Sequence, residues 1–318
     1  MRLIGLTLIT AFSFAQDAPT IKVDVDVVNI LFNVRDKRGG LIGNLEKNDF
    51  TISEEGKQQD IKYFNRETDL PLTIGLLIDV SASQGNLIEI EKDAASQFFS
   101  QVIRKQDLAF LISFGEDADL LQDYTNSPKL LRQGLDGLRV NSGVGGLQPG
   151  PVPTMSHPRG TVLYDAVYLA ASDQLKGQVG RKVLVLITDG EDEGSRYNIK
   201  QAIEAAQRAD AIVYGFYYVD RAFYQRGQRG IVLGGVSDSA LRQMSEETGG
   251  RVFHIERNHP LQDAFRDLQE EMRSQYAIGY TPLNSNKDGT FRKIEIRTNN
   301  KDWKVQARKG YYATKAEN

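Results

Sequence analysis

Short apolar runs alternate with amphipathic segments between residues 71 and 273, and this alternation restricts the chain to few folds. The runs are rich in Leu, Ile and Val, which is typical of strands buried on both faces of a parallel sheet. Together with the helical segments they predict an α/β fold: a doubly wound, mostly parallel sheet with helices on both faces. The predicted strands are Leu72–Asp79, Asp107–Phe114, Lys182–Thr188, Ala211–Tyr218 and Arg251–His254. The predicted helices are Leu87–Ile103, Pro128–Leu138, Val162–Leu175, Ile199–Ala209, Asp238–Glu247 and Leu261–Arg273.

Two of these helices begin with recognisable capping signals. Asn86 precedes the first helix and Glu89 follows three positions later, which is the spacing of a capping box. Ser127 is followed by Pro128, which places a capping hydroxyl before a proline at the first helical position. We therefore expect the side chains of Asn86 and Ser127 to cap their helices.

The segments on either side of this region lack helical periodicity and alternate polar with apolar residues. Residues 16–68 and 274–313 each offer three or four short strands, with turns such as Asp36–Gly40 and Asn299–Asn300 between them. Neither set would bury much core alone. We expect the two to pack together as one small β-sandwich, with the α/β domain of residues 69–273 inserted between them. Two independent β extensions are the alternative, and residues 314–318 are expected to be a frayed tail.

The first 15 residues have the pattern of a secretory signal peptide. Arg2 precedes an apolar segment, and Ser13 and Ala15 supply small residues for cleavage after Ala15. That segment is too short to span a bilayer, and no later segment is long and apolar enough. The chain has no cysteine, so disulfides cannot stabilise it. These features predict an exported protein, periplasmic or secreted, without a transmembrane segment.

Oxygen-bearing side chains follow two of the predicted strands. Asp79 ends the first strand, with Ser81 and Ser83 in the turn after it, and Asp189 follows the strand that ends at Thr188. Parallel strands bring their carboxyl ends to one edge of a sheet, where ligands bind in such folds. Thr161 adds a hydroxyl at the start of a helix. The pattern indicates a metal site at this edge.

These separated elements, Asp79-Val80-Ser81-Ala82-Ser83, Thr161 and Thr188-Asp189-Gly190, resemble the metal-ion-dependent adhesion site (MIDAS) of von Willebrand factor type A (VWA) domains. The resemblance covers about residues 71–273, and the flanking β segments resemble those of exported bacterial proteins related to this family. It implies that Ser81 and Ser83 ligate a divalent ion directly, usually magnesium, with manganese or calcium as alternatives. It also implies that Thr161 ligates the ion or holds a water, while Asp79 and Asp189 act through waters or hydrogen bonds.

The resemblance implies a binding module that engages a protein partner, with an acidic side chain of the partner completing the metal shell. The acidic residues Glu191, Asp192 and Glu193 would repel such a ligand if they faced the site. Asp165 could orient a site hydroxyl, or could form a local backbone bond as a helix carboxylate. His157, in the long Gly- and Pro-rich segment 141–160, could touch a ligand or could be solvated.

Other functional classes find less support in the sequence. A formal net charge of −3 and the absence of a dense basic stretch argue against nucleic-acid binding. The nucleophile elbow, the P-loop and a catalytic cysteine are absent, and Ser81 stands where a haloacid-dehalogenase-type phosphotransferase needs a second Asp. We therefore expect no enzyme, a magnesium-dependent hydrolase being the remaining enzymatic alternative. A further alternative is a purely structural metal, with binding through the β-sandwich or the Arg-rich segment Arg221–Arg229. The oligomeric state stays open.

Overall fold

The computed structural model of the chain describes residues 27–67, 70–140, 160–220 and 236–314. The proposed signal peptide, His157, the Arg-rich segment and most of the segment 141–160 lie outside these residues. The strands, in chain order β1 to β14, are Val28–Arg35, Phe50–Glu54, Lys57–Gln59, Ile61–Arg66, Leu72–Asp79, Leu108–Phe114, Ala118–Thr125, Arg181–Thr188, Ala211–Tyr217, Val252–His254, Tyr276–Tyr280, Phe291–Thr298, Lys304–Ala307 and Gly310–Tyr312. The α-helices, numbered here α1 to α6, are Ile88–Val102, Pro128–Asp136, Leu163–Leu169, Ile199–Arg208, Ser239–Thr248 and Leu261–Arg273.

A six-stranded sheet in the order β10-β9-β8-β5-β6-β7 forms the middle of the molecule. Its strands are parallel except for β7, which runs antiparallel to β6. Every residue of β5 is buried, because helices cover both faces of the sheet. The predicted α/β class and its mostly parallel sheet are confirmed.

Alternate residues of β5 point into two separate cores. Ile74, Leu76 and Ile78 pack in the core covered by α1, α2 and α6. Leu77 packs on the opposite face, in the core covered by α3, α4 and α5. The uninterrupted apolar run of β5 is thus the sequence signature of a strand buried on both sides.

Strand β7 was not predicted from the sequence. Its residues are mostly half-buried or exposed, since it forms the edge of the sheet, and its pairing with β6 contains irregularities near Leu111. An edge strand with one solvated face lacks the continuous apolar run that identified the other strands. The third helix also departs from expectation, because α3 continues after Leu169 as a π-helical segment, Ala170–Leu175.

The two capping predictions have different outcomes. The Ser127 side chain accepts a hydrogen bond from the Leu130 backbone N–H, as expected of a cap. The capping box at Asn86 is wrong: the residue before α1 is Leu87, and no side chain caps this helix. The Asn86 side chain donates instead to the Asp220 carboxylate, at 2.5 Å, and so joins the α1 turn to the segment after β9. The Asn86 side chain therefore bonds an acceptor that is distant in the sequence, Asp220, and does not cap the helix.

Strands from both ends of the chain form two antiparallel sheets, β13-β1-β11-β4 and β14-β12-β2-β3. Strand β1 pairs with both β11 and β13, so the N-terminal and C-terminal segments share one sheet. Their apolar faces enclose a third core, which includes Phe32, Phe50 and Tyr276. The small β-sandwich is therefore present. The domain boundaries at residues 69 and 273 stay a prediction.

None of the helices in the described ranges has the length and apolar character that crossing a membrane requires.

Candidate metal site

Neighbouring strands carry the two aspartates to the same edge of the central sheet. In the register of β5 and β8, Ile78 lies beside Ile187, so Asp79 stands next to Thr188 and one position from Asp189. Both aspartates are almost completely buried. The apolar strands that precede them, β5 and β8, fix these positions, because their side chains pack into the cores on both faces of the sheet.

Asp79 is the most deeply held carboxylate of the site. Its Oδ1 accepts a hydrogen bond from the Ser81 backbone N–H, at 2.8 Å, and its Oδ2 accepts one from the Thr188 hydroxyl, at 2.6 Å. The pKa of Asp79 is raised from 3.8 to about 7, first by burial and then by the negative charge of Asp189, while the hydrogen bonds from Thr188 and Ser81 oppose the rise. Burial and a neighbouring carboxylate thus both disfavour the charged form of Asp79.

The two serines connect the turn after β5 to Asp189. The hydroxyl oxygens of Ser81 and Ser83 lie 3.0 Å apart, and Ser83 donates a hydrogen bond of 2.6 Å to Asp189. Both serines are half-buried, so one side of the pair faces solvent. The site is thus a partly open cluster of hydroxyl and carboxylate oxygens, in which Ser83 joins the two strand ends.

Thr161 is fixed to the same edge through its backbone. Its carbonyl accepts a hydrogen bond of 2.9 Å from the N–H of Glu193, in the loop that follows Asp189. Gly160 permits this contact, since a Cβ there would lie 1.6 Å from the Glu193 carbonyl oxygen. The loop after β8 and the segment before α3 are therefore clamped together, with the Thr161 side chain almost buried between them.

The acidic residues after Asp189 have separate roles. Asp192 accepts hydrogen bonds from the Tyr164 N–H, at 3.1 Å, and from the Ser195 hydroxyl, at 2.6 Å, so this carboxylate organises its own loop. Burial, together with the charge of Asp189, raises the pKa of Glu191. Glu193 is exposed. The contacts of Asp192 are therefore accounted for within its own loop, and among the described contacts this carboxylate has none with the two serines or with Asp79.

Asp165 and His254 both make structural contacts. Asp165 accepts a hydrogen bond of 2.9 Å from the Tyr197 N–H, so it holds the loop before α4 to α3. His254 lies 2.9 Å from the Asp238 carboxylate and is half exposed. Neither contact involves the serines or aspartates of the site.

Two residues at this edge escaped the sequence analysis. Thr188 was noted only as part of its motif, yet its hydroxyl bonds Asp79 and accepts from the Gly190 N–H at 3.0 Å. Glu91 in α1 is completely buried, and this burial, together with the charges of Asp79 and Asp189, raises its pKa well above 4.5. A signal existed for Glu91, since it lies on the apolar side of α1, three residues after Ile88 and seven before Phe98.

The donor set fits a hard divalent cation. Hydroxyl and carboxylate oxygens are the ligands that magnesium, manganese and calcium prefer, and both kinds meet at this edge. Among the described residues, no three His, Asp or Glu side chains converge as metal ligands. A cation here would therefore depend on the serine and threonine hydroxyls.

Comparisons with known proteins gave similarities to solved structures only. No protein-family model and no curated protein matches the chain. One similar structure is that of an aerotolerance-related membrane protein from Bacteroides fragilis, which is 15% identical, with a TM-score of 0.46. The match covers 63% of this chain and 98% of that chain. The SpRpn10 VWA domain is 14% identical, with a TM-score of 0.40, covering 63% of this chain and 95% of that one.

Proximal thread matrix protein 1 from the mussel byssus, in a structure with a zinc-occupied MIDAS motif, is also similar. It is 14% identical, with a TM-score of 0.47, covering 68% of this chain and 48% of that chain. The descriptions of these last two structures name the domain type and the metal site that the sequence motifs resemble.

Proposed function

We propose that the protein is an exported binding module, without enzymatic activity, that engages a protein partner through a divalent cation at the carboxyl edge of the central sheet. The ligand set is the pair Ser81 and Ser83 with Thr161, supported by Asp79 and Asp189. One observation carries the proposal: the hydrogen-bonded chain from Ser81 through Ser83 to Asp189, beside the fully buried carboxylate of Asp79.

Each residue has a defined task in this proposal. Ser81 and Ser83 present hydroxyl oxygens on the half-open side of the site, where a partner can approach. Asp79 fixes the turn by accepting from the Ser81 N–H, and Asp189 fixes the Ser83 hydroxyl. The cation, magnesium or in its place manganese or calcium, supplies an electrophilic position for an acidic side chain of the partner.

Titration calorimetry with MgCl2, MnCl2 and CaCl2 tests the cation site. We expect saturable binding by the wild type and its loss in Asp79→Ala and Ser81→Ala. Ser100→Ala is the matched control, because this serine lies on α1 and bonds only the local Gln97 carbonyl. Equal cation binding by all these variants contradicts the proposed ligand set.

Partner capture from an exported fraction, with magnesium or with chelator, tests the binding role. We expect proteins retained by the wild type in magnesium to be lost in chelator and in Ser81→Ala, but not in Ser100→Ala. Retention that ignores both chelator and Ser81→Ala contradicts binding through the cation.

A second candidate places the binding surface beside the β-sandwich, with the metal in a structural role. A cavity of about 640 Å³ between the α4 end and the sandwich favours it, lined in part by Arg208, Arg308, Tyr311 and Tyr312. The Arg208 guanidinium lies 4.1 Å from the centre of the Tyr312 ring. In the same capture experiment, loss with Arg208→Ala but not with Ser81→Ala identifies this surface.

A further inference from the structure

Glu91 is a buried carboxylate without a hydrogen-bond partner among the described residues. It lies on α1, and its side chain is completely buried. Neither carboxylate oxygen has a hydrogen-bond partner within the part of the chain that the structure describes. An ionised carboxylate in such a place is costly unless a counter-charge balances it.

The charges that act on Glu91 are those of the candidate metal site. Asp79 and Asp189 are the two carboxylates whose charges raise its pKa. Helix α1 begins at Ile88, five residues after Ser83. Backbone hydrogen bonds connect the serine turn to this helix: the Gln84 N–H donates to the Ser81 carbonyl, and the Leu87 N–H donates to the Gln84 carbonyl. Glu91 is therefore a third and fully buried acidic group, close enough to both aspartates for their charges to act on it.

Other buried glutamates of the molecule are balanced by the chain itself. Glu54 lies 3.4 Å from Arg292 and accepts hydrogen bonds from the hydroxyls of Tyr280 and Tyr311. Glu271 is equally buried and pairs with two arginines, Arg35 and Arg251. Arginine thus neutralises Glu54 and Glu271, whereas among the described residues the charges that act on Glu91 are those of two aspartates.

We propose that Glu91 is an outer-sphere carboxylate of the cation site, whose negative charge strengthens divalent-cation binding from the buried side without ligating the ion. This inference rests on the proposed function. Glu91 is placed outside the ligand shell because, among the described residues, no group of three acidic or histidine side chains is arranged to hold a metal ion. Coulomb interactions fall only as the inverse of distance and are weakly screened when buried, so a carboxylate outside the ligand shell still acts on the ion.

Calorimetric titration of the full chain with MgCl2 tests this role. The Glu91→Gln variant keeps the shape of the side chain and removes its charge, and we expect its magnesium affinity to fall about tenfold or more. Glu89→Gln is the matched control: it removes the same charge from the same helix, but this side chain is exposed and paired with Lys92. We expect its affinity to change by less than about twofold.

Glu91→Leu provides a second variant if Glu91→Gln does not fold, and thermal unfolding with and without magnesium provides a second measurement. We expect both Glu91 variants to melt no lower than the wild type in chelator and to gain less from magnesium. If the Glu91 variants equal the wild type in magnesium affinity and in the rise of melting temperature that magnesium gives, the role of Glu91 is overturned and the proposed function stands. Failure of the wild type itself to bind magnesium, manganese or calcium overturns both.

Discussion

Buried carboxylates occur in two regions of this molecule, and they are treated in opposite ways. In and beside the β-sandwich, Glu54 and Glu271 are held by arginine, and Glu54 also by tyrosine hydroxyls. At the edge of the central sheet, Asp79 and Glu91 are acted on by other carboxylates, and the Glu91 oxygens have no hydrogen-bond partner in the described structure. The first region is balanced from within the chain. In the second, the proposed cation would supply the balancing charge.

This difference separates a structural ion pair from a binding site. A paired buried carboxylate contributes to the folded state only with its partner, and loss of the partner is costly. A group of like charges instead lowers stability until a cation binds, so that part of the binding free energy becomes stability. The sandwich should therefore be indifferent to divalent ions, whereas the sheet edge should respond to them.

The largest loss of stability is expected when the arginine that pairs with Glu54 is removed. Arg292→Met leaves Glu54 buried without its arginine, and it also removes donors to the carbonyls of Asn284 and Asn286. We expect the free energy of unfolding, measured with urea, to fall by about 3 kcal/mol or more. Arg297→Met, on the same strand but exposed, should change it by less than about 0.5 kcal/mol. A loss at Arg292 as small as that at Arg297 would remove the contrast between the regions.

The sheet edge should show its unbalanced charge in the pH dependence of stability. The pKa of Asp79 is raised from 3.8 to about 7, so the folded chain holds this proton more tightly than the unfolded chain. In chelator, the free energy of unfolding should therefore fall as pH rises from about 4 to 7, by at most about 1.4 kcal/mol per pH unit for this group. Urea titrations at several pH values measure this slope.

Asp79→Asn should flatten that slope, and Asp119→Asn, at an exposed carboxylate on the edge strand β7, should leave it unchanged. An unaltered slope in Asp79→Asn would show that another group sets the pH dependence.

A moderate loss of stability is expected when a hydrogen-bond acceptor is removed from the loop after Asp189. Asp192→Ala removes the acceptor for the Tyr164 N–H and the Ser195 hydroxyl, and should lower the free energy of unfolding by about 1–2 kcal/mol. Asp192→Asn keeps an oxygen acceptor and should cost less. If both variants instead raise stability in chelator, Asp192 belongs with the unbalanced charges of the site rather than with the loop.

The smallest effect is expected at the exposed end of the acidic run. Glu193→Gln leaves the backbone hydrogen bond to the Thr161 carbonyl in place, and solvent screens its charge. We expect its magnesium affinity, measured by calorimetry at physiological ionic strength, to lie within about twofold of the wild type. A larger change in magnesium affinity would mean that the Glu193 carboxylate lies close to the cation. Its charge would then also repel an acidic side chain of the partner.

Much of the fold was predictable because it follows from local periodicity. The apolar runs gave β5, β6, β8 and β9 to within a residue or two, and Leu261–Arg273 was predicted with its observed bounds. Strand β7 could not be predicted in this way, because an edge strand carries little apolar pattern. The Asn86 capping box was wrong since the side chain finds a distant acceptor, Asp220, that no local rule includes.

By itself, the sequence determined the α/β class, the sheet edge, and the oxygen-bearing side chains that meet there. Strand periodicity and the positions of Asp79 and Asp189 at the ends of buried runs were sufficient for that. Only the tertiary structure decided the surroundings of the other carboxylates: Asp192 is bonded within its loop, and Glu91 is buried on α1 within the influence of both aspartates. The reason is physical, since burial and the charge of neighbours are set by contacts between segments far apart in the chain.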